Sequence, residues 1–591
     1  MKKVWSIVVA LSLAVAARAV PARPGTFRYT QPDGSVITLR LHGDEYFHWI
    51  TTADGQVVAK DGDGYFRPSS ISPYQKAQAR QRRRMAAQLR VADGLPMTSG
   101  QRRIPVIVVS FQDLDFQVEN PAEMFDRLLN EKGYSYNGAT GSIRDYYYEN
   151  SHGVFEPVFD VYGPVTLSHG MAYYGANEND TWKAIAEGVK LLDDQMDASR
   201  YDADGDGTVD MILMYFAGYN QAEYGPDESI WPHQSSVGKR GGLVDGKYIG
   251  RYFCTSELKG SEGAEFCAIG TTAHEFAHSL GLPDFYDTNY DEDGRSGGLY
   301  SISIMSNGNY NNDSNTPPHF NALERKMLGW MADTDIIELP EGVTEIPSIA
   351  NDIAYKLSTD VTGEFFLLET RDGTRWDEPL GAQGLVVYHV DQSEHPVGGI
   401  SAAEQWASYN TINAYGDHPC FYVVPSGDPS ALWYHFDYFY EQEQRTYEIP
   451  YDPEYMFYPG YFAVSEFTPV TWDKHDQSVK LTGISFSGGK TRVELKVLGE
   501  RPSEPEEGVE TLHQMNFNSI DAATVYSIGE DFPLVLVEAD EDRPASVSWT
   551  FDGEAASGSV VLDTAGAFVV EATLTFADGR VEVIETEIVV K

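Results

Sequence analysis

Residues 268–287 read AIGTTAHEFAHSLGLPDFYD. His274 and His278 stand four residues apart, one turn of an α-helix, so both imidazoles leave the same face. Two neutral imidazoles on a rigid helix can fill two of the four tetrahedral positions around Zn²⁺. Glu275 follows the first histidine and points from the neighbouring face, within reach of a metal-bound water but not of the metal. Gly281 stands where a helix must end in a left-handed residue before the chain turns sharply. Asp284, three residues on, is placed to return as third ligand. A fourth position stays open for water, which separates a catalytic zinc site from a structural one. Glu324 is the alternative third ligand, drawn from downstream. The pattern HExxH arises by chance in roughly 0.02–0.03 chains of this composition, and the added Gly and Asp lower that to roughly 10⁻⁴.

Such a site implies peptide-bond hydrolysis. Zinc brings the pKa of its water toward neutrality, Glu275 takes the proton, and the same carboxyl returns it to the leaving amine. The expected protein is a secreted zinc-dependent endopeptidase acting on extracellular proteins and made as a zymogen. The alternative is an exported adhesin, a glycan- or protein-binding protein that retains the peptidase fold, against which the intact Glu275 speaks.

Outward from this helix, strands are expected at 104–111 and 209–217 and helices at 121–131, 143–149 and 181–196. In the last helix Trp182, Ile185, Val189 and Leu192 recur at three- and four-residue spacing. This alternation predicts an α/β catalytic domain over 104–334. Strand-like runs then predict a β-rich domain over 335–499. Residues 431–462 are dense in Tyr, Phe and Trp, which reads as buried aromatic packing. RPSEPEEGVE at 501–510 marks a linker spanning 500–510. Short alternating strands over 511–591 predict a C-terminal immunoglobulin-like β-sandwich. The fold class is therefore a multidomain α+β and α/β protein.

At the other end, Lys2 and Lys3, an apolar stretch and Ala17-Arg18-Ala19 make residues 1–19 a signal peptide cut after Ala19. Residues 20–103 follow as a pro-segment with short strands near 27–29, 36–39 and 46–49. It ends in a basic connector from Lys76 to Arg103 in which Asp93 is the only acid. The chain is thus expected outside the cell or at its surface, with no membrane insertion once the signal is removed.

The 591 residues carry 43 Lys+Arg against 89 Asp+Glu, a net charge of −46. That excess excludes a nucleic-acid partner and argues against anionic lipid, leaving proteins or peptides as partners. Three cysteines, Cys254, Cys267 and Cys420, are too few for a disulfide scaffold. Either Cys254 pairs with Cys267 or all three are small buried residues. A second metal is expected at Asp202, Asp204, Asp206, Thr208 and Asp210, which with Gly207 match the first nine positions of a Ca²⁺ loop. Position twelve is Leu213, so the bidentate ligand must come from elsewhere. Asp287, Asp291 and Asp293 read as an acidic loop, and His233 and His319 as structural.

HEFAHSLGLPDFYD at 274–287, followed by SIMSNG at 303–308, resembles the immune inhibitor A-like secreted metallopeptidases, whose catalytic domains are related to the metzincins. IRDYYYENSHG (143–153), YDADGDGTVD (201–210), IWPHQ (230–234), TPPHFNALERKMLGW (316–330) and FFLLETRDGTRWDEPLGAQGLVVYHVD (365–391) are similar to that family too. The resemblance implies a metzincin-like catalytic domain with His274, His278 and Asp284 as zinc ligands and Glu275 as general base and acid. It also implies Met305 as an apolar floor beneath the metal. Many metzincins carry a Tyr two residues after that Met; here Asn307 stands there, with Tyr310 a substitute candidate. Residues 20–103 contain no Cys, so a thiol cannot hold the zymogen latent. An acidic side chain or steric plugging must serve.

Overall fold

The computed structural model describes residues 20–71, 98–176, 180–289, 298–409, 411–416, 418–426, 453–460 and 463–499, together with strands between 525 and 590. The signal peptide, the connector up to residue 97, Asp291, Asp293 and most of the aromatic stretch 431–462 lie outside the described residues.

The N-terminal residues open the fold as an antiparallel meander of β1 (Phe27–Thr30), β2 (Val36–Gly43), β3 (His48–Thr52), β4 (Val57–Lys60) and β5 (Phe66–Pro68). The expected third strand starts two residues late, because Asp44 Oδ1 accepts the backbone N–H groups of Tyr46 and Phe47 and turns the chain there.

The sheet that carries the site runs β7-β6-β8-β10-β9. Its strands are β6 (Gly100–Ser110), β7 (Phe155–Thr166), β8 (Thr208–Phe216), β9 (His233–Gly238) and β10 (Tyr248–Ser256). All pairings are parallel except β10 with the edge strand β9. β6 begins four residues before the apolar run that betrays it, so Arg102 and Arg103 are strand residues. Both faces of the sheet are covered, which is why the run is continuously apolar. On one face Val106 and Val108 meet α1 (Pro121–Asn130), α2 (Ile143–Asn150) and the HExxH helix. On the other, Ile107 and Val109 meet Ala184, Ile185 and Val189 of α3 (Thr181–Leu191). A Cβ at Gly188 would come within 2.9 Å of Ile107, so α3 lies on the sheet at a distance only glycine permits. α3 stops at Leu191 rather than 196, its Leu192 N–H folding back on Gly188 O and Val189 O.

The HExxH helix is α4 (Ile269–Ser279), and each of its residues is buried. Phe276 stacks on Phe253 of β10 at 5.3 Å, and the Tyr147 hydroxyl of α2 donates to Ala273 O at 2.6 Å. α2 is fixed by a capping box between Ser142 and Asp145.

After α5 (Ala322–Met327) the described residues are mainly β, with short helical turns between strands. One sheet contains β11 (Ile336–Glu338), β13 (Ala354–Ser358), β14 (Glu364–Arg371), β15 (Gly384–Asp391) and residues 421–423. Another joins β12 (Gly342–Pro347) to strands at 479–487 and 490–497. Leu367, Val386, Tyr388 and Phe421 share one apolar core with Phe276, Phe285 and Met305. The change from helices to strands near residue 335 is therefore not a break in packing, and residues up to 504 form one compact unit.

From Pro505 a second unit begins. Its described strands lie in a five-stranded and a two-stranded sheet, antiparallel apart from the pairing of 525–526 with 581–590. Among the described residues no helix is long and apolar enough to cross a membrane.

Candidate active site

α4 and the turn that ends it build the site together. Gly281 adopts φ 114°, its N–H bonds His278 O, and the Leu282 N–H reaches back to Ala277 O. The same turn presents Leu282 O to His278 Nδ1 at 2.8 Å. His274 Nδ1 likewise donates to Ile304 O at 2.6 Å. With each Nδ1–H spent on a carbonyl, each Nε2 turns its lone pair inward. Asp284 arrives opposite them: its Oδ1 lies 3.0 Å from His278 Nε2 and 3.5 Å from His274 Nε2.

Ligand atoms of His274, His278 and Asp284 all lie within 4.8 Å of one another, and the three side chains are buried. Burial opposes charge on Asp284, but when the facing imidazoles carry a proton on Nε2 their charge and hydrogen bonds outweigh it and hold the carboxyl well below its usual range. Two inward-facing neutral imidazoles, a carboxylate and carbonyl-pinned Nδ1 atoms are the donor set and outer support that Zn²⁺ takes. Glu324 is elsewhere. Its carboxylate accepts the Ser303 hydroxyl and the Asn321 N–H at 2.7 Å, capping α5.

The strip beneath the site, residues 302–306, is held from below. Ser303 bridges Glu324 and the Met305 N–H, and Met305 O accepts the Phe285 N–H next to Asp284. Met305 is fully buried. Arg371, fully buried on β14, donates to Ile302 O, His319 O, Glu369 and Asp377. The β sheet thus reaches the strip whose Ile304 O orients His274. Sequence reading passed over Arg371; the signal available was an ETR triplet ending an apolar strand, a charge where none belongs unless paired.

Glu275 faces Val20. Its Oε1 accepts the backbone N–H of Val20 at 2.7 Å, and Val20 is itself fully buried. Trp231 Nε1 donates to Val20 O at 3.0 Å, and Val20, Leu41, Ala222 and Trp231 form one apolar cluster. Burial pushes the Glu275 carboxyl well above its usual range. The charge of Glu45 adds to this, the Val20 N–H opposes it, and Asp284 adds again. Glu45 is buried in the connection between β2 and β3, where His48 also stacks on Trp231. Glu45 and the Val20 backbone thus both lie at Glu275. Asn307 and Tyr310 share a short 3₁₀ turn, and the Tyr310 hydroxyl donates to Pro21 O at 2.7 Å.

At the acidic loop, carboxylates of Asp202, Asp204 and Asp210 come within 4.8 Å of one another, a group that does not include Asp206. Asp202 also pairs with Lys247. Burial, then Asp204, Asp202 and Asp206, push the Asp210 carboxyl up despite the Ala203 N–H. Cys254, Cys267 and Cys420 are unpaired and buried. His233 bonds Trp231 O and Tyr252, and burial lowers it to about 4. His319 bonds Asn150.

Residues 111–331 match the family model described as "Immune inhibitor A peptidase M6, catalytic domain". The chain is 27% identical over 254 residues to "Immune inhibitor A" of Bacillus thuringiensis subsp. alesti, covering 35% of this chain and 37% of that protein. It is 28% identical over 225 residues to "Pre-pro-metalloprotease PrtV" of Vibrio cholerae serotype O1 (strain M66-2), covering 32% of this chain and 24% of that one. The chain thus spans about a third and a quarter of these relatives' lengths. Among solved structures, OgpA from Akkermansia muciniphila aligns over 84% of this chain and 96% of that chain at 10% identity, with a TM-score of 0.25.

Proposed function

We propose that this chain is an exported zinc-dependent endopeptidase made as a zymogen, acting on extracellular proteins. The convergence of His274, His278 and Asp284 beside the buried Glu275 carries this reading. Zinc held there would supply Lewis acidity toward the peptide carbonyl and toward the attacking water. The protein's own part is orientation and proton handling. The Ile304 and Leu282 carbonyls fix the two imidazoles, and Arg371, Ser303 and Glu324 hold the strip that carries one of those carbonyls. Glu275 receives a proton at its carboxylate and gives it to the departing amine nitrogen. Burial raises its carboxyl above the usual carboxylate range, the direction a proton carrier needs. Met305 is the proposed apolar floor.

Latency follows from the pro-segment. While the Val20 nitrogen, an α-ammonium once the signal peptide is cut after Ala19, occupies Glu275, the carboxylate cannot serve a substrate. Cutting the basic connector would let residues 20–71 leave. A signal peptide over 1–19, an immunoglobulin-like sandwich at 511–591 and a Ca²⁺ at the 202–210 loop belong to the same proposal. The experiment is casein hydrolysis after limited tryptic nicking and quenching of the trypsin. Activity should vanish with a chelator and return with Zn²⁺; nicked, zinc-loaded protein without activity would favour the binding-protein alternative.

A further inference from the structure

Four consecutive residues of the pro-segment leave Glu275 in a single direction. The Val20 N–H donates to Glu275 Oε1 at 2.7 Å, Trp231 Nε1 to Val20 O at 3.0 Å, and the Tyr310 hydroxyl to Pro21 O at 2.7 Å. The Arg23 N–H then donates to Ala222 O at 2.8 Å. The Val20 nitrogen stands at the carboxylate that hands its proton to a departing amine. Val20 to Arg23 therefore run as the C-terminal part of a cut peptide runs, with Val20 first after the broken bond and Arg23 fourth.

At that fourth place the wall is acidic. Arg23 Nη1 donates to Glu223 Oε2 at 2.7 Å, and Nη2 pairs with Asp313. The Glu223 side chain is only 4% exposed and sits on a short turn capped by Asn220, which accepts the Glu223 N–H at 3.0 Å. Asp313 is tethered from behind by Lys259. Tyr224 closes the far side, its hydroxyl bonding Arg23 O and Pro24 O. A planar guanidinium suits two carboxylates set on different walls. Once Arg23 leaves, a buried Glu223 without a cation is costly, so a basic replacement is favoured and an acidic one repelled.

We propose that Glu223 and Asp313 form a subsite selecting Arg or Lys at the fourth residue after the cleaved bond of a peptide substrate, a place that Arg23 fills in the zymogen. This rests on the peptidase reading above. The test uses the full chain, nicked in the connector with the trypsin then inhibited, and internally quenched peptides differing only in Arg, Ala or Glu at that residue. kcat/KM should be about tenfold higher for Arg than for Ala and lowest for Glu. In Glu223→Gln/Asp313→Asn the three peptides should become nearly equal. Equal cleavage of all three by the parent overturns the subsite, and needs no variant to fold. If no peptide is cut, the peptidase reading fails instead, and binding decides the subsite. Labelled Val-Pro-Ala-Arg-Pro-Gly should then bind about tenfold tighter than its Arg→Ala counterpart, and equal affinities overturn it.

Discussion

The Val20 backbone N–H donates a 2.7 Å hydrogen bond to Glu275, 255 residues away in sequence. The contact joins the start of the pro-segment to the proposed proton-transfer group, and Leu41 and Trp231 pack around it. Because that packing is what holds the plug, Leu41→Ala should loosen it. Removing a buried leucine costs about 2–5 kcal/mol of local packing. The un-nicked variant should hydrolyse casein faster than the un-nicked parent and yield to trypsin sooner. Equal latency in both would place the lock elsewhere.

Asp284, and not Glu324, meets the two imidazoles. Asp284→Ala should weaken Zn²⁺ binding by more than about 100-fold, beyond the loss typical of an outer-shell change. Glu324→Gln should keep stoichiometric zinc. Metal content after dialysis against a zinc buffer reads both; retained zinc in Asp284→Ala would remove that residue from the ligand set.

Burial raises the Glu324 carboxyl from 4.5 to about 7, outweighing Ser303 and the Asn321 N–H, which lower it. The folded protein then holds a proton between those values that the unfolded chain has released. Stability attributable to this group is full below about pH 4.5 and is lost as pH rises toward 7, by up to about 3 kcal/mol. Urea denaturation at several pH values should show the decline in the parent and less of it in Glu324→Gln. Parallel pH dependences in the two proteins would contradict it.

The acidic loop at 202–210 should make melting calcium-dependent. Burial raises the Asp210 carboxyl and its acidic neighbours raise it further, a repulsion that a divalent cation would relieve. Added Ca²⁺ should raise the Tm of the parent by several degrees and leave Asp204→Ala/Asp206→Ala unchanged. A calcium-indifferent parent would show that Lys247 on Asp202 already satisfies the loop.

Much of this was legible in the sequence, because it lies in local patterns. Helical spacing put His274 and His278 on one face, Gly281 marked the turn, and the apolar runs at 104–111 and 209–217 marked the inner strands. Less legible were features that depend on distant pairing. Val20 is an ordinary residue until it meets Glu275, and Arg371 looks like a surface charge until Glu369, Asp377 and Ile302 enclose it. Helix and strand periodicity also divides the chain near 335, where packing does not, since Phe285 and Phe421 belong to one core. Of the carboxylates in the Ca²⁺ spacing, those of Asp202, Asp204 and Asp210 gather, while Asp206 accepts the Thr208 N–H at 2.7 Å.

The most direct measurement compares the nicked protein with a nicked Glu275→Gln variant, both shown to hold one zinc, in casein hydrolysis. If Glu275 is the proton-transfer group, the variant should keep its metal and its fold and lose at least about 10²–10⁴-fold in rate. A variant that cuts casein as fast as the parent would contradict the assignment of this site as the catalytic centre.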